Sequence, residues 1–148
     1  MSKYGEDQKN AAYPDDNPKT VMGMAKPSLT AIPPTALLHM GGAMSDGRTK
    51  YGLMNWREKK VSTSIYIDAA MRHMLAFWDG ENTAKDSGVH HLGHVMACMA
   101  IILDAESVGM LNDDRPKEGN FAAEVARRTV AFVNKSPEKN DGGWDPNR

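Results

Sequence analysis

Four of the five histidines in this 148-residue chain fall between residues 73 and 94: His73, His90, His91 and His94, with Glu81 and Asp86 among them. Imidazole and carboxylate both ligate divalent cations, and a cation held with open positions can activate water against a phosphate or a carbonyl. On a helix expected to run from about Asp86 to Glu106, Asp86, His90 and His94 recur every four residues on the polar side. His91 and His94 form an i, i+3 pair, close enough to share one ion. A single histidine on a polar helix face is as often an ordinary surface residue. Three within five residues, preceded by two carboxylates, point to a metal-dependent hydrolase.

Other groups have plainer readings. His73 sits at the margin of an apolar face and reads first as a half-buried residue bonded to a carbonyl. Asp68 and Arg72 read equally well as a surface ion pair. Cys98 lies among Ala97, Met99 and Ala100, so it reads as a small core residue rather than a nucleophile. Met96 and Met99 read as packing, and Asp113-Asp114 and Asp15-Asp16 as solvated loop charges.

The elements that carry these residues follow from periodicity. Ser62 to Asp79 has Tyr66, Ile67, Ala70, Met74 and Phe77 on one side of a helix, with Ser62 or Ser64 as cap and Gly80 as stop. Glu81 to Lys85 is a short connection, which makes the next helix an antiparallel neighbour. That helix carries an apolar stripe of Val89, Leu92, Met96, Met99 and Leu103. Gly93, Ala97 and Ala100 border its histidine side and allow a close approach, expected from the helix before it. Thr35 to Met44, started by Pro33-Pro34, forms a short helix ended near Gly47. Arg48 to Lys60 reads as an ordered loop rich in ligand-binding side chains, or as Tyr51 and Trp56 covering the core. Phe121 to Lys135 is a last amphipathic helix. Residues 1–28 lack a sustained period and read as a flexible arm, 29–135 as one all-α domain, and 136–148 as a polar tail.

Composition bounds the function. A net charge of -1 lacks the broad positive field of a nucleic-acid-binding protein, so no nucleic-acid polymer is expected as partner. No apolar run reaches the roughly 18 residues of a membrane span and the start of the chain has no signal-like apolar segment, so a soluble, cytoplasmic protein without membrane contact is expected. The single cysteine suits a reducing compartment. Apolar residues including Met74, Phe77 and Trp78 exceed what one thin layer of helices covers, which implies a homo-oligomer, a dimer or tetramer.

One resemblance gathers these features. Lys26-Pro27, Ile32-Pro33-Pro34, Gly47 with Lys50-Tyr51-Gly52, Asn55-Trp56, Arg72-His73, Gly80-Glu81, Asp86-Ser87-Gly88, and His91 with His94 resemble, in order and spacing, the phage-associated dATP/dGTP diphosphohydrolase family, related to MazG-like all-α nucleotide pyrophosphohydrolases. The match covers about residues 26 to 104. It implies an all-α MazG-like helical bundle, oligomeric and in the host cytoplasm if phage-encoded. It further implies that Mg2+ or Mn2+ serves to cleave a purine deoxynucleoside triphosphate, dGTP or dATP, to the monophosphate and pyrophosphate. Its implied metal set is His73, Glu81, Asp86, His91 and His94, with Glu81 or Asp86 also the catalytic carboxylate. Arg48, Lys50, Tyr51, Asn55, Trp56 and Arg72 would bind substrate. The chain departs from the MazG pattern in having His91-x-x-His94 where an ExxD motif falls, and no clear ExxE within Ser62 to Asp79. Two other readings stand beside this one: an HD-type phosphohydrolase using His73, a histidine of His90-His91 and Asp104, and a non-enzymatic helical interaction protein.

Overall fold

The computed structural model describes residues 17–135, so most of the expected arm and the whole of the expected tail lie outside the described residues. The fold is all-α, as expected. Helix α1 is Pro18–Met24, α2 Pro34–Tyr51, α3 Thr63–Trp78, α4 His91–Ser107 and α5 Phe121–Lys135. Two two-residue strands, β1 Val61–Ser62 and β2 Leu111–Asn112, pair in parallel. These residues fall into two compact units divided between Asp114 and Arg115.

In the first unit α3 and α4 are antiparallel neighbours. β1 precedes α3 and β2 follows α4, while His73, late in α3, meets His91 at the start of α4. The start of α3 departs from expectation. Ser62 is its N-cap but makes no side-chain cap bond. Instead Asp114, expected as a solvated loop charge, accepts the Ser64 backbone N–H at 2.8 Å and its hydroxyl. A carboxylate on a helix N-terminus satisfies an orphan donor and favours the dipole, and the bond holds Asp114 below the usual carboxylate range.

Helix α2 is longer than expected. It runs through Gly47 to Tyr51, so Arg48, Lys50 and Tyr51 are helical rather than in a loop. An interior glycine costs about 1 kcal/mol relative to alanine, too little to stop a helix held by tertiary packing. Arg48 and Lys50 in the last turn complement the helix dipole, and Lys50 pairs with Asp46 one turn earlier at 2.7 Å. Gly52, at φ 96°, ends it. Within the stretch read as an arm, Asn17 caps α1 by accepting the Lys19 N–H at 2.9 Å, with Pro18 at its first position, so a short helix forms where no sustained period was read.

The largest difference concerns α4. It starts at His91, not at Asp86, because residues 81–90 form a tight turn of their own: Gly88 has φ 69°, Ala84 N–H bonds the Val89 carbonyl, and Thr83 bridges His90. Its buried face also differs from the expected stripe, of which Val89, Met96 and Met99 are half-buried. Leu92 and Leu103, expected in the core, are exposed, whereas His91, Gly93, Ala97 and Ala105 are buried. The small residues do permit close approach: α3 packs along α4 as expected, and at Gly93 α2 also comes close, its His39 backbone facing the Gly93 Cα. On α3, Ala70 is buried while Ile67 and Met74 are exposed. In the second unit, Glu124 of α5 holds Arg127 at 2.6 Å and Arg128 at 2.7 Å.

Candidate active site

A cavity of about 810 Å³ is walled by α2, α3, α4 and the turn after α2. That is within the range of roughly 300–1,000 Å³ typical of small-molecule sites. From α2 and the turn come Arg48, Lys50, Tyr51, Asn55 and Trp56, all expected to bind substrate. His73 from α3, Asp86 from the following turn and His94 from α4 also line it. The fold therefore brings together, from five segments, most of the residues singled out in the sequence. Arg72 is not among the lining residues and is exposed. Glu81 and His91 also stand back from the wall.

The histidines form a layer between α3 and α4. The rings of His73 and His94 stack with centroids 4.3 Å apart, and His73 Nδ1 lies 2.8 Å from His91 Nδ1. The expected bond from His73 to a carbonyl is thus replaced by a bond to a second imidazole. His91 is buried, and its Nε2 is the one buried side-chain polar atom among the described residues without a hydrogen bond. A Glu81 oxygen lies 3.3 Å away, within ion-pair distance but off hydrogen-bond geometry. That carboxylate favours a proton on His91 Nε2. His91 Nδ1 then accepts from His73 Nδ1–H, and the other nitrogen of a neutral His73 carries a free lone pair. His90 has a different task. It caps α4, its Nδ1 accepting the Leu92 N–H at 3.1 Å, and its ring packs against Phe77 and His39.

Sequence reasoning missed Asp46, Ser87 and the true role of Asp104. Asp46 lines the cavity and bonds Lys50, an i, i+4 pair that would have been visible had the helix been drawn to its full length. Ser87 Oγ lies 2.9 Å from His94 Nε2. Asp104 accepts from the Trp56 indole and from the Arg57 guanidinium, which holds its carboxyl down at about 2. No sequence signal links residues so far apart. Cys98 also borders the cavity, and burial pushes its thiol up, which agrees with an unreactive side chain.

Burial and the neighbouring imidazoles keep His73 below the ordinary 6.5. Burial likewise lowers His94, against the opposing pull of Asp46 and Asp86. Below 6.5 the unfolded chain takes up protons that these folded imidazoles still refuse, so stability falls on acidification and is full above that value. The melting temperature is expected to be level above about pH 7 and to drop as the pH falls below about 6.5. Changing both histidines to Asn should flatten that drop in a thermal melt series. A rise on acidification would contradict the assignment.

The charged groups on the cavity wall are Asp46, Asp86 and Asp104 against Arg48 and Lys50, an excess of carboxylate. Among the described residues no three His, Cys, Asp or Glu side chains are grouped to hold a metal ion. The donors present are nonetheless of the right kind, because Mg2+ is usually held by one or two carboxylates and completed by substrate phosphates and water. Asp86 and His94, which both line the cavity, are the donors that fit a cation completed by substrate phosphates and water.

A family model described as dATP/dGTP diphosphohydrolase, N-terminal, matches residues 16–115. The chain belongs to that family. The match spans α1 to β2 and contains every wall of the cavity. A relative within reach is a protein of Salmonella phage PMBT28 named dATP/dGTP diphosphohydrolase, 25% identical over 117 residues. The alignment covers 79% of this chain but 39% of the phage protein. No solved structure matches. The family region ends at Arg115, next to the division between the two units, so α5 stands outside it. Among the described residues no helix is long and apolar enough to cross a membrane.

Proposed function

We propose that the cavity binds a purine deoxynucleoside triphosphate, dGTP or dATP, and that the protein hydrolyses it to the monophosphate and pyrophosphate with Mg2+ or Mn2+. The carrying observation is the cavity itself, whose wall combines a cationic helix end, an aromatic turn and two of the histidines. Arg48 and Lys50 would meet the phosphates, and Asn55 and Trp56 the base, through hydrogen bonds and a stacking face. With Asp104 paired to Arg57, and Asp46 and Asp86 balancing Arg48 and Lys50, the wall has no net positive charge to offset a triphosphate. A bound divalent ion would supply that charge and acidify water for attack on phosphorus. Asp86 and His94, the expected donors on the wall, would hold it together with substrate phosphates and water.

Asp86 stays ionised, since the Ser87 N–H bonded to its carboxylate holds it below the usual range. An anion of that kind suits cation binding better than proton transfer. With His94 given to the cation, His73, kept below its ordinary value by burial, is the group at the wall left to take a proton from the attacking water. The exposed apolar residues Leu92, Leu103, Met71, Leu75 and Trp78 support a homo-oligomer. An HD-type site is disfavoured because Asp104, its required carboxylate, is engaged by Trp56 and Arg57.

Incubation with dGTP or dATP and Mn2+, with chromatography of the phosphate products, tests the proposal. Deoxynucleoside monophosphate and pyrophosphate are expected. Release of deoxynucleoside and tripolyphosphate would establish the HD-type reading instead, and no turnover would leave the protein a helical interaction module.

A further inference from the structure

The turn after α2 is an awkward piece of chain. Gly52 has φ 96° and Met54, a residue with a side chain, has φ 50°. The left-handed region is costly for such residues and persists only where the surroundings impose it. The one-turn 3-10 helix Asn55–Arg57 that follows has no side-chain cap. Yet this segment carries Asn55 and Trp56 to the cavity wall. Asp104, on the far end of α4, is what reaches it. Its Oδ2 accepts the Trp56 indole N–H at 2.6 Å and the Arg57 Nε–H at 2.7 Å, and its Oδ1 accepts from the second guanidinium nitrogen at 2.7 Å.

We propose that Asp104 is the positioning residue for the base-binding wall, fixing through Trp56 and Arg57 the pose in which the nucleotide base is held. This rests on the nucleotide reading above. A fork-to-fork pair with Arg57 sets direction as well as distance. The indole bond adds what a surface ion pair would not: it stops the Trp56 ring from turning about its side-chain torsions, so one face is offered to the cavity. Because Asp104 is on a regular helix, the turn inherits the rigidity of α4. Both carboxylate oxygens are occupied, so Asp104 acts through Trp56 rather than on the phosphates.

The test uses the full chain with dGTP and dATP in Mn2+, comparing Asp104→Ala, Asp104→Asn, Trp56→Phe and the double variant Asp104→Ala with Trp56→Phe. Steady-state KM and kcat are measured, and the Trp56 indole N–H resonance is followed by NMR, identified by its loss in Trp56→Phe. Asp104→Ala should raise KM about 10-fold or more with kcat held within about 3-fold, as expected when the charge-assisted bonds that orient the wall are lost. Asp104→Asn should raise it less, and both should shift the indole resonance. Trp56→Phe should add nothing to Asp104→Ala, because the two act through one bond. A role in folding alone would lower kcat through a smaller active fraction at unchanged KM, and that result overturns the proposal. So do additive effects, or an unmoved KM in Asp104→Asn if Asp104→Ala does not fold. Wild-type binding that both Asp104 variants preserve overturns this inference alone. Wild type that neither binds nor hydrolyses either nucleotide overturns the nucleotide reading, and this inference with it.

Discussion

Replacing Asp86 by Ala is expected to lower dGTP turnover about 100-fold or more, with helix content and melting temperature almost unchanged. Asp86 belongs to the turn before α4 and to no helix, and its side chain is 75% exposed. Its polar contacts are the Ser87 N–H at 2.9 Å and Lys50 Nζ at 3.8 Å. Neither stabilises the fold by much, since exposed substitutions of this sort shift stability by about 0.5 kcal/mol or less. The functional effect is large for a different reason. Asp86 is an ionised carboxylate on the cavity wall beside the cation that would meet the phosphates, so its loss removes an anchor for the divalent ion. Asp86→Asn should be nearly as inactive, because it keeps the shape and removes the charge. Asp79→Ala, at the exposed end of α3 away from the cavity, is the control and should turn over normally. Steady-state kinetics with circular dichroism on the same preparations decide it. Full activity in Asp86→Asn would remove Asp86 from the site.

Gly93→Ala is expected to destabilise the chain by about 1–3 kcal/mol, against the usual gain of about 1 kcal/mol for this change inside a helix. A Cβ at Gly93 would stand 2.5 Å from the His39 carbonyl oxygen and 2.9 Å from its carbon. Backbone cannot swing aside as a long side chain can, so α2 must move away from α4. Because α2 carries Arg48 and Lys50, the same variant should also weaken nucleotide binding in whatever fraction stays folded. Gly41→Ala sets the sign. Gly41 lies inside α2 with open space where its Cβ would go, and there the change should stabilise the chain. Urea unfolding of both variants reads the contrast. Equal stability in the two would mean that α2 and α4 do not approach at Gly93.

The local chemistry of the chain was enough to draw two of its helices. The apolar spacing from Tyr66 to Phe77, closed by Gly80, gave α3 to within a residue at each end, and Phe121 to Lys135 gave α5 at its observed limits. Periodicity reports backbone state because a helix brings i, i+3 and i+4 together whatever surrounds it. The same locality explains the site residues that were found. Lys50, Asn55, Trp56, His73, Asp86 and His94 were visible as side-chain types in a characteristic order, and all six line the cavity.

What the spacing of residues did not determine was which way each helix faces. The stripe through Leu92 and Leu103 had the pattern of a core, yet α4 turns His91, Gly93 and Ala97 inward. Burial is settled by what packs opposite. Here the approach of α2 to Gly93 and the imidazole bond from His73 outweigh the larger side chains, which remain on the surface. Tertiary structure alone also chose the partners of Asp104 and Asp114. One crosses 48 residues to Trp56 and the other 50 to Ser64. Nothing local distinguishes such carboxylates from solvated ones, because their partners are brought near only after the helices have packed, and the geometry of that packing is a property of the whole core.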